Sequence, residues 1–399
     1  LYVNLADRVV GVIDPNGNPL DLAAGNAASN TLSGRNRLIN GRFNIGQWWS
    51  YWHTPTTSGG GGGAATGGIN IPINSRTYVA DRWWWYASTA NTLQVNFPSP
   101  TQPTWPSYNI CTTTVQAAHT MAPGDNFQMG QMLEWINVQD LGWGLSTAQP
   151  ITLSFDAMST VPGLYAGFIS NNAGNRTYVF TYNIPTANVW TDITVTIPGD
   201  TTGTWLPAGT PPPPTWNSIG LALHFDLGMG SNYIATATNA WTSPAGTIVG
   251  ATVAGAINLA SSGVGAQWAI TNVQLEIGSA ATPYEWKNYA QDLLECQRYF
   301  VFTAGTTIST EWYNWALNSW NATYYILPCT MRYAPQFLPS SNQYQLPNPN
   351  IQITQPGTGA SGMGMYGDWR TVQSVIWSTI ATQTAIGAAW VVGSFNAEL

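Results

Sequence analysis

The chain has 399 residues, 44% hydrophobic and 13% aromatic with 21 Trp, so disorder throughout is excluded: this much apolar surface offsets the entropy of ordering. Only 7% of residues are charged, including ten Arg and a single Lys, Lys287, and the formal net charge is −7. Phosphate recognition needs clustered cations, so nucleic acid and anionic membrane surfaces are excluded as partners; no apolar run of 18 residues offers a spanning helix, and no leading segment reads as a signal peptide.

Residues 1–36 carry one short β-like run, Arg8 to Ile13, then the turn Asp14-Pro15-Asn16-Gly17 and a stretch of small residues. Too little apolar mass is present for a core, which makes this segment an arm. From Asn36 the texture changes: Leu38, Phe43 and Ile45 lead into Trp48, Trp49 and Trp52. The glycine run Gly59–Gly63 lacks the preceding strand, the following helix and the Lys of a phosphate-cradling loop, and reads as a flexible hairpin tip.

Strands follow in series. RTYVADRWWWYAS and NTLQVNF read as strands, with Trp83 and Trp85 facing a core, as do Trp190 and Trp268 later. Period-two alternation marks ITLSFDAM (Ile151, Leu153, Phe155), TYVFTYNI (Tyr178, Phe180, Tyr182) and TDITVTIPGD (Ile193, Val195, Ile197). It recurs in NSIGLALHFDLG (Ile219 to Leu227) and NVQLEIG (Val273, Leu275, Ile277). One apolar and one polar face per strand predicts antiparallel sheets wet on one side. Pro211–Pro214 is a stiff extended loop. One helix is predicted, in NYAQDLLECQRYF, with Tyr289, Leu293, Cys296 and Phe300 on one face. Beyond it TYYILPCTMRYAP, TVQSVIWSTI and AAWVVGSF begin a second β region. The absence of βαβ alternation excludes open nucleotide-binding sheets, and the fold class is all-β, of sandwich architecture.

The residues that carry chemistry are sparse. His53, His119 and His224 are far apart and match no zinc-hydrolase spacing. Cys111, Cys296 and Cys329 form neither a disulfide framework nor a zinc set and read as buried free thiols. Glycan cleavage needs two carboxylates about 5–10 Å apart. Asp125, Glu134, Asp140, Asp156, Asp192, Asp200, Asp226 and Glu276 are available, and spacing does not say which converge. No catalytic residue and no metal ligand is assigned and no cofactor is expected, beyond a structural calcium at turn carboxylates such as Asp200. His224 beside Asp226 reads as a polar patch or a locally bonded pair. Aromatic faces stack on the C–H faces of sugar rings while Asn, Gln and Thr bond the hydroxyls. Tryptophans in loops are therefore the candidate glycan contacts: Trp205, Trp216 and Trp241 between strands, then Trp312, Trp315, Trp320, Tyr366 and Trp369. A subunit interface is the competing role for each.

The segment 268–300 is specific. Val273-Gln274-Leu275-Glu276-Ile277-Gly278, then Thr282-Pro283-Tyr284-Glu285, then Cys296-Gln297-Arg298-Tyr299-Phe300 resembles a recurrent run of bacteriophage tail-fibre and related virion fibre proteins. NRLINGRFNIGQ (36–47), YVADRWWW (78–85), WTDITVTIPGDTTGTW (190–205) and, more weakly, ILPCTMRYAPQF (326–337) are similar to further pieces of that family in the same order, although its Gln-Arg-Gly is here Gln47-Trp48-Trp49. The resemblance implies an all-β jelly-roll domain over residues 37–300, like those of carbohydrate-binding modules. It implies an arm over 1–36 attached to other virion proteins and a smaller C-terminal β domain over 301–399. It further implies a trimeric virion appendage that adheres to host cell-surface polysaccharide or serves as structure, and is not an enzyme. A purely structural fibre, adaptor or capsid-decorating protein and a depolymerase are the competing readings.

Overall fold

The computed structural model describes residues 34–53, 68–89, 92–97, 109–205, 218–243, 250–302, 328–329 and 331–332, with residues 51–53 and the strands outside these ranges described as backbone. Strands β1 (Tyr2–Asn4), β2 (Val9–Ile13) and β3 (Pro19–Leu20) form a small antiparallel sheet, in the region expected to be an arm. Helix α1 (Gln47–His53) precedes the sandwich strands. These are β4 (Ile69–Asn70), β5 (Thr77–Ala80), β6 (Trp83–Ala87), β7 (Leu93–Asn96), β8 (Cys111–Val115), β9 (Asn126–Glu134), β10 (Ile151–Ser159), β11 (Gly163–Ser170), β12 (Thr177–Ile184), β13 (Thr191–Ile197), β14 (Ile219–Met229), β15 (Trp241–Thr242) and β16 (Gln267–Ile277). Helix α2 (Tyr289–Gln297) then leads into β17 (Phe300–Phe302).

Two antiparallel sheets face each other, one of six strands in the order β13-β10-β16-β8-β7-β4 and one of seven in the order β15-β12-β11-β14-β9-β6-β5. The protein is thus an all-β, two-layer sandwich of the jelly-roll kind. The pairing of β10 with β13 sets Ile151 against Ile197, Leu153 against Val195 and Phe155 against Ile193, so one face of both strands is apolar throughout. Between the sheets Trp83, Trp85, Phe155, Phe225 and Trp268 share one buried core. Each such side chain contributes roughly 1.5–3 kcal/mol on leaving water. An indole also brings an N–H that must be bonded. Trp83 donates to the Asn40 carbonyl and Trp85 to the Thr113 hydroxyl, both at 3.0 Å.

The seven-stranded sheet departs from the expectation of one wet face. Its outer side is buried too: Trp48 of α1 and Phe300 of β17 pack on Tyr78, Trp84, Met132 and Ala222, and Tyr233, Ala235, Ala251, Val253 and Ala256 pack on Ala166, Phe168, Val179 and Met229. Trp84, Gly130, His224 and Phe168 therefore stand side by side across four strands in the interior. The His224 ring stacks on Phe168 at 4.1 Å and meets the edge of Trp84 at 5.4 Å. On the six-stranded sheet the expected alternation holds on β7 and β13, whereas Ile110, Met158 and Ala269 form a buried patch on the outer side with Trp190 against it.

Beyond α2, strand β17 pairs with the last strand in chain order. The sheet β17-β24-β20 uses β20 (Gln336–Pro339) and β24 (Gly393–Asn396). Strand β18 (Ile308–Thr310) pairs with β23 (Ala389–Val391), and β19 (Trp320–Ile326), β22 (Ser374–Ile380) and β21 (Gly364–Gly367) form a third sheet. The strands expected there from TYYIL, TVQSVIWSTI and AAWVVGSF are present.

The motif residues act as joints. The opening segment 36–46 is irregular rather than a strand, yet Arg37 N–H bonds the Leu275 carbonyl and Val273 N–H bonds the Gly41 carbonyl, each at 2.8 Å. The approach is so close that a Cβ on Gly41 would stand 2.0 Å from the Val273 carbonyl oxygen, which only glycine permits. Opposite Phe155, strand β16 bulges between Gln274 and Thr271, with Asn272 at a φ of 52°. Glu285 accepts the Asn36 N–H at 2.7 Å, and Glu276 accepts from Thr282 N–H and Gln274. The buried Arg82 donates to the Met132 carbonyl at 2.6 Å and lies 3.5 Å over the Tyr299 ring. Arg298 clasps the fully buried Glu134 with two bonds, 3.1 and 2.8 Å, tying α2 to β9.

Removing one partner of such a pair leaves a buried charge uncompensated. Arg298→Ala is expected to cost about 3–5 kcal/mol of stability, read as a fall in the urea midpoint with an unchanged slope, whereas Arg37→Ala, at the exposed bridge to Asp140, costs about 0–1 kcal/mol.

Candidate functional site

Of the eight aromatic residues expected at a binding surface, the structure describes the surroundings of two. Trp205 is 4% exposed and belongs to the core, which corrects its assignment as a surface contact. Its indole N–H donates to Asp200 at 2.8 Å, and Trp143, Trp205 and Trp241 meet edge to face at 4.6 to 5.3 Å. The turn Gly199–Gly203 folds Trp205 inward because Asp200 gathers donors beneath it. Trp241 is half-buried at the rim of the same trio, its N–H on the Pro198 carbonyl. Trp216, Trp312, Trp315 and Trp369 lie outside the described residues; Trp320 and Tyr366 lie on β19 and β21, with their side chains outside them.

The turn expected to hold calcium is otherwise occupied. Arg176 reaches both Asp200 oxygens, at 2.7 and 2.6 Å. Burial raises the Asp200 carboxyl, but bonds from Arg176, Trp205 and Thr202 outweigh it and hold the group below the ordinary carboxylate range. Among the described residues no three His, Cys, Asp or Glu side chains gather into a metal site.

Two carboxylates do converge. Asp156 and Asp192 stand opposite each other on β10 and β13 and share a side-chain hydrogen bond, while Asn272 donates to Asp156 at 2.6 Å from the bulge of β16. Such contact leaves no room for the glycosidic oxygen and water that a cleaving pair must flank. Burial, then the neighbouring Asp192, raises Asp156 to about 6 against the opposing bond from Asn272. Asp226 is buried and raised to about 7 by desolvation, held by Thr252 and Gly228. His224 is lowered to about 3 by burial and bonds Gln128 instead of Asp226. The two are therefore interior groups with separate partners rather than a patch or a pair.

A site that the strand pattern did not point to lies where the opening segment meets residues 284–292. Asn36, Leu38, Asn40, Gly41, Arg42 and Asn44 form one side of an open notch, and Tyr284, Trp286, Lys287 and Asp292 the other. The enclosed part of the notch is about 10 Å³, room for one water molecule. Trp286 is 71% exposed, and the Arg42 guanidinium lies 3.5 Å from its ring centroid, so one face of the indole is braced. Asp292 is 4% exposed; it accepts the Asn40 N–H at 3.2 Å, and burial raises its carboxyl. Lys287 donates to Glu295 at 2.7 Å.

Asp292 also explains why the face expected for α2 is rotated. Asn288 caps the helix by accepting the Ala290 N–H, and Asp292, Cys296, Tyr299 and Phe300 turn inward while Tyr289 is 62% exposed. The signal available in the sequence was an exposed-type tryptophan directly before the single lysine, inside the tail-fibre-like run.

No known family profile and no curated protein matches this sequence. Among solved structures it is similar to the enzymatically active domain of tailspike protein 4 of bacteriophage CBA120, at 13% identity and a TM-score of 0.30 over 62% of this chain. That match spans 22% of the tailspike's length. A CBM4 structure is matched at 11% identity and a TM-score of 0.26, over 49% of this chain and 87% of that one. A family 11 carbohydrate-binding module of a cellulosomal cellulase of Clostridium thermocellum is matched at 11% identity and a TM-score of 0.26, over 55% of this chain and 99% of that one. The sandwich itself rests on the strand pairing of this chain.

The carboxylate pair makes stability depend on pH. Asp156 holds its proton more tightly folded, at about 6, than unfolded, at about 3.9. Between those values the folded state binds more protons, so stability falls as pH rises from about 4 to 6. Urea midpoints recorded from pH 3 to 8 should show that fall in the native protein and its loss in Asp156→Asn.

Proposed function

We propose that this chain is a non-enzymatic subunit of a bacteriophage virion fibre or spike, a homotrimer that attaches to host-surface glycan through its β-sandwich. The observation that carries this reading is the notch, where the open ring of Trp286 stands beside the hydrogen-bonding groups of Tyr284, Lys287 and Asp292. A sugar offers C–H faces for such a ring and hydroxyls for such groups. The charge-poor composition agrees with it, because a surface of Thr, Ser, Asn and Gln suits uncharged ligands.

Trp241, Trp216, Trp312, Trp315, Trp320, Tyr366 and Trp369 remain the proposed further contacts. Three copies on one axis convert weak single sites into avidity through effective concentration. Residues 1–36 would join the subunit to other virion proteins on the outside of the particle, with no cofactor in the mechanism. The contact between Asp156 and Asp192 supports a binding role over cleavage, since hydrolytic pairs stand about 5–10 Å apart. A purely structural fibre, adaptor or decoration protein is the second reading, favoured by the burial of Trp205.

Two measurements on the purified chain decide between them. Light scattering should give three times 43.0 kDa. A densely printed array of bacterial surface polysaccharides should retain the trimer without releasing reducing ends. A trimer that binds no glycan selects the structural reading, a monomer removes the fibre assignment, and reducing ends reveal an enzyme.

A further inference from the structure

Two of the buried acids, Glu134 and Asp200, each face an Arg. Asp226, on the outer side of β14 and 1% exposed, has no cation partner among the described residues. It accepts the Gly228 N–H at 2.7 Å and the Thr252 hydroxyl. Both donors are neutral, and two such bonds do not replace the hydration that a carboxylate loses on burial. Desolvation therefore outweighs them and raises the group to about 7.

The elements packed around Asp226 add no compensating charge. Opposite it on β9 stands Gln128, and Ala166 and Phe168 are the outward residues of β11. Two residues away on β14, His224 is kept neutral by burial and then by the charge of Arg76. On β12 the Tyr182 hydroxyl keeps its proton, pushed up by burial, by Tyr165 and by Asp226 itself. Residues 230–256 contain no Asp, Glu, Lys, Arg or His, and the Tyr233 hydroxyl bonds the Gly124 carbonyl.

Thr252 belongs to a strap that crosses this face in two pieces, 231–235 and 250–256. The pieces are joined by Ala251 N–H to the Tyr233 carbonyl and by Ala235 N–H to the Thr252 carbonyl, each at 2.8 Å. Their apolar contacts with the sheet come from Tyr233, Val253 and three alanines, Ala235, Ala251 and Ala256. Alanine buries little area, so most of the strap adheres weakly. Gly250 and Gly255, at φ of 95° and 82°, bound the stretch that carries Thr252 and give it two pivots. Beneath lies Phe168, stacked on His224 at 4.1 Å.

We infer that residues 231–235 and 250–256 are a pH-released strap: when Asp226 ionises they lift from β11 and β14, water reaches the carboxylate, and the Phe168–His224 stack is uncovered. This stands independently of the glycan-binding reading. The sign follows from the proton. The closed strap keeps Asp226 protonated up to about pH 7, whereas the open, hydrated carboxyl holds its proton only to about pH 3.9. Opening is least below about pH 4, grows about tenfold per pH unit towards pH 7, and levels off above.

The test is amide hydrogen exchange of the full chain, followed by mass spectrometry from pH 5 to 8, with each rate divided by the intrinsic rate at that pH. Peptides holding Ala235, Ala251 and Thr252 report the strap, and peptides of β10, on the other sheet, are the reference. The expected result is at least a tenfold rise in strap opening from pH 5 to 7, a plateau by pH 8, and no matching rise in β10. Asp226→Asn keeps an acceptor and cannot ionise, so its strap opening should be flat across that range; Thr252→Ser keeps the hydroxyl and should retain the rise. Near-ultraviolet circular dichroism verifies that both variants fold. Flat strap opening in the native chain overturns the inference, and so does a rise shared equally by β10, which is opening of the whole sandwich. A rise that persists in Asp226→Asn overturns the assignment of the releasing group. The native chain alone can refute the strap, so a variant that fails to fold leaves the test intact.

Discussion

Where a chain has few charges, the position of each becomes a structural decision. Glu134 lies at the end of β9 with no solvent contact, and Arg298 meets both of its oxygens there. Asp200 is handled likewise by Arg176, which meets both of its oxygens. Burying an ion pair is seldom better for stability than burying two apolar side chains of the same size. What the pair adds is exclusivity: only one docking of α2 on the sandwich satisfies Glu134, and only one path of the 199–205 turn satisfies Asp200. Arg suits both places because its planar fork meets a carboxylate along two parallel bonds, a geometry that the ammonium of Lys does not have.

That economy shapes what the sequence discloses. Strands whose apolar residues alternate on one face were legible: β10, β12, β13, β14 and the second half of β16 follow directly from the spacing of Ile, Leu, Val and Phe. Strand β9 was not, because Gln128, Gln131 and Glu134 are as buried as Phe127 and Met129. Its polar residues face partners in the opening segment, in β14 and in α2, so alternation carries no sign of them. The aromatic stretch Gln47–His53 is helical for a related reason: Trp48 N–H and the Gln47 amide both bond Asp81, which fixes a turn directly after the opening segment. The tail-fibre-like motifs were legible as words, and the structure supplies their grammar. Asn36, Glu276, Thr282 and Glu285 are a single bonded cluster that closes the start of the sandwich against its last strand.

The candidate site followed a different rule. Aromatic residues in loops rich in Gly, Pro and Thr were expected at the surface, and Trp205 lies inside because an acid in its own turn draws the indole N–H down. Trp286 is exposed although it sits between a buried Glu285 and a half-buried Lys287. Local composition does not separate these cases. The separating quantity is whether a partner for the ring and its N–H exists within the fold, which is a property of residues far away along the chain.

The two outer faces of the sandwich set where a ligand has access. The face of the seven-stranded sheet carries an aromatic row, Trp84, His224 and Phe168, that would suit stacking if it were open, yet α1, β17 and a patch of Tyr233, Ala235, Ala251, Val253 and Ala256 cover it. The outer side of the six-stranded sheet is wet and polar along β13, at Thr194 and Thr196, while Ile110, Met158 and Ala269 are buried there beside the half-buried Trp190. The notch at 284–292 combines what each face has singly. It does so because the joint that holds the opening segment to α2 also fixes Asp292 and braces Trp286. The same bonds that specify the fold therefore hold Asp292 and the Trp286 ring in position, and little conformational freedom is left there.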